Sequence, residues 1–142
     1  ADGKMNEVPG VAMVTRGPGA ANAHVGLHTA WQDSTALVLF VGLIPFEHRD
    51  REAFQEVDYR QMFGGLAKWA AEIDQTDRIP EYVARAFDLA MSGRPGPVVI
   101  DIPKDVQFAD GPYGGYQAIM KNPHGGWTGA SESRKDGQAA GY

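Results

Sequence analysis

Residues 14–22 (VTRGPGAAN) combine the residue types best suited to ligand binding in this chain. They lie between an apolar run and a helical pattern, which predicts a turn at the carboxyl end of a strand, where parallel sheets bind ligands. Gly17 and Gly19 lack a Cβ atom, so a flat ring or another backbone segment can approach closely, while Pro18 stiffens the turn. Taken alone, the pattern also fits a plain structural turn. It is neither a dinucleotide fingerprint nor a phosphate-binding loop, because no lysine follows it.

Two further features could carry chemistry. His24 and His28 are four residues apart and share one helix face, but no additional ligand lies nearby in the sequence. We therefore expect two polar positions in a packed interface and predict no metal site. Glu56 has the side chain of a general acid or base, although a charged residue on a short helix is more often solvated or ion-paired.

Composition excludes several classes of function. The 142-residue chain has a formal net charge of −5, which argues against a nucleic-acid-binding surface. It contains no cysteine, so disulfides and thiolate nucleophiles are excluded, and a cytoplasmic location is expected. The longest apolar run, residues 36–41, is too short to cross a bilayer, so we expect no membrane association.

Apolar runs alternate with helical patterns along the first part of the chain. Strands are predicted at residues 10–15, 36–41, 69–73 and 97–102, and helices at residues 20–32, 52–62 and from Pro80 to about Gly93. In the last helix, Val83, Phe87 and Met91 form an apolar stripe. This alternation predicts an α/β fold with a parallel sheet and helices on both faces.

The last part of the chain differs in composition. Residues 107–142 contain 8 of the 18 glycines and few aliphatic side chains, so they can bury little apolar surface. We therefore predict two regions, a folded domain at residues 1–106 and a glycine-rich tail at residues 107–142 that is poorly ordered.

Five separated blocks resemble one enzyme family in order and spacing. They are residues 10–22 (GVAMVTRGPGAAN), Gly42 with Pro45, residues 53–56 (AFQE), Lys68 with Trp69, and residues 92–106 (SGRPGPVVIDIPKDV). Over residues 10–106 the chain resembles the N-terminal, pyrimidine-binding domain of thiamine-diphosphate-dependent enzymes, most closely the acetolactate synthase-like group. The resemblance implies a flavodoxin-like domain that pairs with the cofactor-holding domain of a second subunit, in a homodimer or tetramer.

The resemblance also implies roles for individual residues. It places five cofactor-binding residues around the aminopyrimidine ring, namely Thr15, Gly17, Pro18, Gly19 and Asn22. Gln55 would reach both the cofactor and the reaction centre as the catalytic residue, Phe54 would line the substrate channel, and Lys104 would lie at its mouth. The implied reaction is decarboxylation and carboligation of a 2-keto acid by thiamine diphosphate, with Mg²⁺ held by a domain absent from this chain. The family also allows a flavin.

Three departures set limits on what the resemblance implies. The family's cofactor-activating glutamate is expected upstream of Ala1, the family's Gly-Gln pair is Gly42-Leu43 here, and the resemblance stops after Val106. The isolated chain is therefore expected to be inactive as part of such an enzyme. A non-catalytic remnant or interaction module of the same fold is the alternative, and an unrelated flavodoxin-like ligand-binding protein is a third interpretation.

Overall fold

The apolar runs of the sequence form the strands of one parallel sheet. The computed structural model describes residues 2–106, 117–121 and 127–131. In chain order, the elements of the first range are α1 (Asp2–Met5), β1 (Gly10–Val14), α2 (Pro18–Gln32), β2 (Leu37–Leu43), a 3-10 turn at Phe46–His48, α3 (Tyr59–Phe63), β3 (Trp69–Glu72), a 3-10 turn at Thr76–Arg78, α4 (Ile79–Met91) and β4 (Pro97–Pro103).

The four strands are all parallel and lie in the order β1-β2-β4-β3. Their register aligns Val14, Val41, Asp101 and Glu72 in one row near the carboxyl ends of the strands. The expected flavodoxin-like α/β fold is confirmed. Because all four strands point the same way, the turns that follow them lie along one edge of the sheet, which is where such folds bind ligands.

Both faces of the sheet are covered by helices. On one face, side chains of α2 and α3 pack on alternate residues of the strands, namely Leu27, Tyr59 and Phe63 on Leu39, Val41 and Val99. On the other face, Ala86 and Ala90 of α4 pack on Val38, Val98 and Ile100. Small residues in α4 let this helix approach the sheet closely, and the continuous apolar runs of β2 and β4 follow from burial on both sides.

Two long basic side chains cap the carboxyl ends of the main helices. The Lys68 ammonium group donates to the carbonyl oxygens of Leu89 and Ser92, at the end of α4. The Arg94 guanidinium donates to the Trp31 carbonyl at 2.8 Å and to the Ser34 hydroxyl at 2.8 Å, just after α2. Each side chain satisfies carbonyl groups that a helix end leaves without an internal partner, and its positive charge complements the helix dipole.

The helix predicted over residues 52–62 is wrong in most of its length. The structure has α3 only at Tyr59–Phe63, preceded by turns in which Glu52 and Gln55 have positive φ angles of 52° and 65°. Such left-handed residues interrupt a helix. Asp58 marks the true start, since its carboxylate accepts hydrogen bonds from the Arg60 and Gln61 N–H groups at 3.0 and 3.2 Å.

The other boundaries differ by a few residues. Helix α2 begins at Pro18 instead of residue 20, with the proline in its first turn, where its missing N–H has no helical partner to lose. Strand β2 continues to Leu43, and Gly93 has the expected left-handed conformation after α4, with φ of 54°.

The chain divides into two compact units, Ala1–Phe108 and Ala109–Tyr142. Within the second, β5 (Gln117–Lys121) pairs antiparallel with β6 (Trp127–Ser131). The predicted poor order of residues 107–142 otherwise concerns positions outside the described residues and stays a prediction. In the part of the chain that the structure describes, no helix has the length and apolarity needed to cross a bilayer.

Replacing Arg94 with methionine tests the capping of α2. Arg94→Met keeps an apolar stem on Trp31 but removes the donors, so we expect the free energy of unfolding to fall by about 1–2 kcal/mol. Urea unfolding followed by circular dichroism measures this loss. Arg51→Met, at an exposed position, serves as the control and should change stability by less than about 0.5 kcal/mol. Equal effects of the two substitutions would contradict the capping role.

Candidate active site

Gly17 and Gln55 meet at the carboxyl edge of the sheet, although 38 residues separate them in the sequence. Gly17 has φ of +60°, and a Cβ atom added to it would lie 2.8 Å from Cβ and 3.0 Å from Cγ of Gln55. Both the backbone angle and the lack of space therefore require glycine here. Gln55 is half-buried and is itself left-handed, so the contact places its amide-bearing side chain over the turn that precedes α2.

Thr15 and Gly19 complete this turn. A Cβ atom on Gly19 would lie 2.7 Å from Cγ2 of Thr15, so the threonine methyl group covers the glycine. Pro18 and Asn22 follow, four residues apart on α2, and both are exposed. Residues at this spacing share a helix face. The structure thus brings together Thr15, Gly17, Gly19 and Gln55, with Pro18 and Asn22 on the adjoining open surface of α2.

Phe54 and Lys104, the two residues expected at the substrate channel, lie in the loop before α3 and just after β4. Phe54 is next to Gln55 and is 78% exposed, an unusual position for a large apolar side chain. Lys104 is exposed and follows β4, which is separated from β1 by β2. The adjacent Asp105 accepts a hydrogen bond of 2.5 Å from the Phe46 N–H, which ties the turn after β4 to the 3-10 turn after β2.

Sequence reasoning missed Tyr59, the residue behind the turn. Its side chain is 1% exposed, and its hydroxyl accepts a hydrogen bond of 2.5 Å from the Gly17 N–H. Burial raises the pKa of Tyr59, so the hydroxyl stays protonated over the physiological range. Asp58 offered a signal for it in the sequence, because a helix that begins after this N-cap residue turns Tyr59 toward the sheet.

Sequence reasoning also missed a buried carboxyl group beside Tyr59. Tyr59 and Asp101 both line a cavity of about 190 Å³, which lies beside the Gly17–Gln55 contact and does not contain it. Asp101 is 2% exposed, its Oδ1 has no hydrogen-bond partner within the described residues, and burial raises its pKa to about 7. Its neighbour in the register, Glu72, forms an ion pair with Arg49. Asp101 is therefore the group here whose charge changes near neutral pH.

Glu56 has a structural role in the loop before α3. Its carboxylate accepts hydrogen bonds from the N–H groups of Asp50 at 2.7 Å and Ala53 at 2.9 Å. These backbone donors lower the pKa of Glu56, which makes it a poor proton donor at neutral pH. The acid–base role is therefore not favoured, and Glu56 is bonded to the backbone where a solvated or ion-paired side chain was expected.

The two histidines of α2 also have ordinary surroundings. The His24 ring stacks on Phe63 at 5.7 Å, and the His28 ring lies 3.4 Å from the Gln32 amide nitrogen. Across residues 2–106 and the two short strands, the structure contains no cluster of three side chains suited to hold a metal ion.

The turn fits the pyrimidine half of thiamine diphosphate. The Gln55 side chain fills the space beside Gly17, and the Thr15 methyl group fills the space beside Gly19. A flat aminopyrimidine would therefore rest on the outer surface that Thr15 and Gln55 form with the exposed Pro18 and Asn22.

Comparison with known proteins shows which family this chain resembles. A family model described as the thiamine pyrophosphate enzyme, N-terminal TPP binding domain, matches residues 1–62. A probable acetolactate synthase large subunit from Methanococcus aeolicus is 45% identical over 98 residues, which are 69% of this chain and 16% of that protein. The acetolactate synthase isozyme 3 large subunit of Escherichia coli K12 is 45% identical over 97 residues, 68% of this chain and 17% of that protein.

A mitochondrial relative extends the match. The acetolactate synthase catalytic subunit of Saccharomyces cerevisiae is 37% identical over 115 residues, 81% of this chain and 15% of that protein. The fold and the turn, taken with these matches, define the chain as an N-terminal domain of the thiamine pyrophosphate enzyme family. Within that family it is acetolactate synthase-like. The chain spans about one sixth of the length of these relatives.

Replacing Gly17 tests the requirement for a residue without Cβ. We expect Gly17→Ala to lower the free energy of unfolding by about 2 kcal/mol or more, because the left-handed angle and the Gln55 contact both oppose a side chain. Gly26→Ala is a matched control within α2, since an added Cβ there meets nothing within 4 Å. That control should stabilise the helix by up to about 1 kcal/mol. Urea unfolding of both variants measures the two free energies of unfolding. Equal stabilities would contradict the requirement for glycine at position 17.

The pKa of Asp101 predicts how stability depends on pH. The folded-state pKa of about 7 exceeds the ordinary value of 3.8, so the folded chain retains a proton that the unfolded chain releases. Stability should therefore fall as pH rises from about 4 to about 7 and then level off, with this group contributing at most about 4 kcal/mol.

Asp101→Asn removes the titrating group and keeps the shape of the side chain. We expect the variant to melt at least about 4 °C above the parent at pH 8, and by a much smaller margin near pH 4. Thermal unfolding followed by circular dichroism across this range measures the difference. A margin that is independent of pH would contradict the assignment.

Proposed function

We propose that this chain supplies the pyrimidine-side half of the active site in a thiamine-diphosphate-dependent enzyme that decarboxylates and joins 2-keto acids, like acetolactate synthase. The observation that carries the proposal is the contact of Gln55 with Gly17, which joins the family's two site segments across 38 residues of sequence. The relatives named above are acetolactate synthases. The absence of cysteine supports a reducing compartment such as the cytoplasm.

The residues of the chain would bind and orient. The turn at residues 15–19 would hold the pyrimidine ring, because its glycines let Gln55 and Thr15 pack closely on the backbone and its proline lies in the first turn of α2. The Gln55 amide can donate a hydrogen bond to a carbonyl or accept one from a hydroxyl without introducing charge. Phe54 would form an apolar wall that excludes water. The cofactor, when bound, supplies the carbanion chemistry itself.

The open surface of α2 supports assembly with a second subunit. Pro18, Asn22 and Val25 follow one another at about one turn each along that surface, and Val25 is 73% exposed. A second subunit seated there would cover this apolar side chain and enclose the turn, which suits a site at a dimer interface. Mg²⁺ and the diphosphate would then be held by that partner. A flavin is not part of this proposal.

A non-catalytic interaction module is the second candidate, favoured by the edge of the sheet. Strand β1 has one neighbouring strand in the described sheet, and its outward side chains Val11 and Met13 are 48% and 46% exposed. An apolar edge strand readily pairs with another chain. In that case association would be the function, and Gln55 would serve only to pack on Gly17.

A chimera separates the two candidates. Residues 10–106 of this chain would replace the matching segment of the Escherichia coli isozyme 3 large subunit, which supplies the remainder of the enzyme. We expect formation of acetolactate from pyruvate, and Gln55→Ala should lower kcat/KM by about tenfold or more through loss of a hydrogen bond of about 1.4 kcal/mol. Gln75→Ala, an exposed amide before the second 3-10 turn, is the control and should leave kcat/KM unchanged.

Two outcomes would count against the proposal. An active chimera that is insensitive to Gln55→Ala would remove Gln55 from the site. A chimera that folds and assembles but forms no product would favour the interaction module.

A further inference from the structure

The Gly17 N–H donates to the Tyr59 hydroxyl at 2.5 Å, across 42 residues of sequence. Gly17 is the N-cap residue of α2 and has no side chain with which to cap that helix. The start of α2 therefore depends on partners from elsewhere in the fold, and Tyr59 is such a partner. The bond connects the turn after β1 to the first residue of α3.

Tyr59 is itself held firmly. The Asp58 carboxylate caps α3 in front of it, and the Tyr59 ring stacks on Phe63 at a centroid distance of 6.0 Å. Phe63 in turn stacks on His24 of α2 at 5.7 Å. With 1% of its surface exposed, the Tyr59 side chain has little room to change rotamer. The hydroxyl is thus presented to Gly17 at a fixed position.

Two residues of the segment at residues 55–59 consequently contact Gly17. Gln55 packs against its Cα, and Tyr59, four residues later, accepts its N–H. We propose that Tyr59 is a positioning residue, which holds the turn at residues 15–19 and keeps Gln55 against it. The inference rests on the proposed function for its catalytic meaning, but the geometry that it assigns to Tyr59 can be tested without catalysis.

The cavity behind Tyr59 is lined by Asp101, whose titration gives a pH-dependent signal that packing alone would not produce. The hydroxyl that accepts from Gly17 still has its own proton to donate, and Asp101 lines the same cavity with an oxygen that lacks a partner. Burial raises the pKa of Tyr59 most, and an ionised Asp101 raises it further. A change in the protonation of Asp101 should therefore change the chemical shift of the Gly17 N–H through the Tyr59 hydroxyl.

The other charged groups that face Asp101 are bound or lie at the mouth of the cavity. Glu72 is paired with Arg49, Glu56 is bonded to two backbone N–H groups, and Asp58 caps α3. The remaining two, Asp50 and Arg60, are exposed. Of these neighbours, Arg60 lowers the pKa of Asp101 and Asp58 raises it, and both effects are smaller than that of burial. His24 also lies in the aromatic stack of Tyr59, on Phe63, so the assignment of a pH-dependent signal at Gly17 to Asp101 is made by its loss in Asp101→Asn.

Nuclear magnetic resonance on the full ¹⁵N-labelled chain tests the proposal. In the parent chain we expect the Gly17 amide signal to shift with a midpoint near the pKa of about 7 of Asp101. In Tyr59→Phe, that titration should disappear, and the Gly17 amide should exchange with solvent about tenfold faster. Tyr82→Phe, which keeps the stack of Tyr82 on Trp69, is the matched control and should retain both parent behaviours.

A second variant keeps the test decisive if Tyr59→Phe does not fold. Asp101→Asn should abolish the pH-dependent shift at Gly17 while the amide remains slow to exchange. A titration at Gly17 that is the same in the parent and in either variant, or unchanged exchange in Tyr59→Phe, would overturn the proposal.

Addition of thiamine diphosphate to the same samples separates this proposal from the proposed function. Binding seen at Thr15 and Asn22 in the parent, and weakened about fivefold to tenfold in Tyr59→Phe, would support both. Equal binding to both chains would overturn the positioning role. Absence of binding to the parent would count against the isolated chain as a cofactor-binding unit, while the Gly17 titration and exchange would still decide the role of Tyr59.

Discussion

The close contact between Gly17 and Gln55 is the constraint on which the site depends. Gly17 lies in the turn that follows β1 and has a left-handed backbone conformation. Because it has no Cβ atom, there is just enough space for the Gln55 side chain. Helix α2 begins at this point, so its orientation and the exposure of Pro18 and Asn22 follow from the same backbone angle. Any side chain at Gly17 would have to move Gln55, which is the residue that the proposed chemistry requires.

The blocks that carry the family resemblance serve the architecture as much as the site. Lys68 caps α4, and its stem fills the space above Gly96, where a Cβ atom would lie 3.1 Å from Lys68 Cδ. Arg94 caps α2 and lies over the Trp31 ring. The long block at residues 92–106 is thus a set of helix caps followed by a buried strand.

Periodicity was sufficient to predict the sheet. Strands β1, β2, β3 and β4 all occur within a few residues of their predicted positions, because buried parallel strands require continuous apolar runs. In α4 the buried residues are Ala86 and Ala90, and only Phe87 and Met91 of the predicted stripe pack beside them. The segment before α3 could not be predicted in the same way. Its left-handed residues Glu52 and Gln55 are held by Glu56 bonding two N–H groups and by the tertiary contact with Gly17. These interactions leave no periodic signal in the sequence.

The candidate site was predictable only in part for the same reason. The turn at residues 15–19 has a local signature in its glycines and proline, whereas the partners of that turn come from distant positions. Tyr59 is an ordinary aromatic residue in the sequence, and Asp101 interrupts an apolar run without revealing that it is buried. Their importance arises from the register that aligns Asp101 with Val41 and Val14, which only the folded chain establishes.

A nuclear Overhauser measurement between the Gly17 Hα protons and the Gln55 side chain tests this account most directly. It requires only the labelled chain and depends on no cofactor, partner or activity. Because a Cβ atom on Gly17 would lie 2.8 Å from Cβ of Gln55, we predict strong cross-peaks from Gly17 Hα to the Gln55 Hβ and Hγ protons. A folded chain that lacks these cross-peaks would show that the two site segments do not meet, and the proposed half-site would have no structural basis.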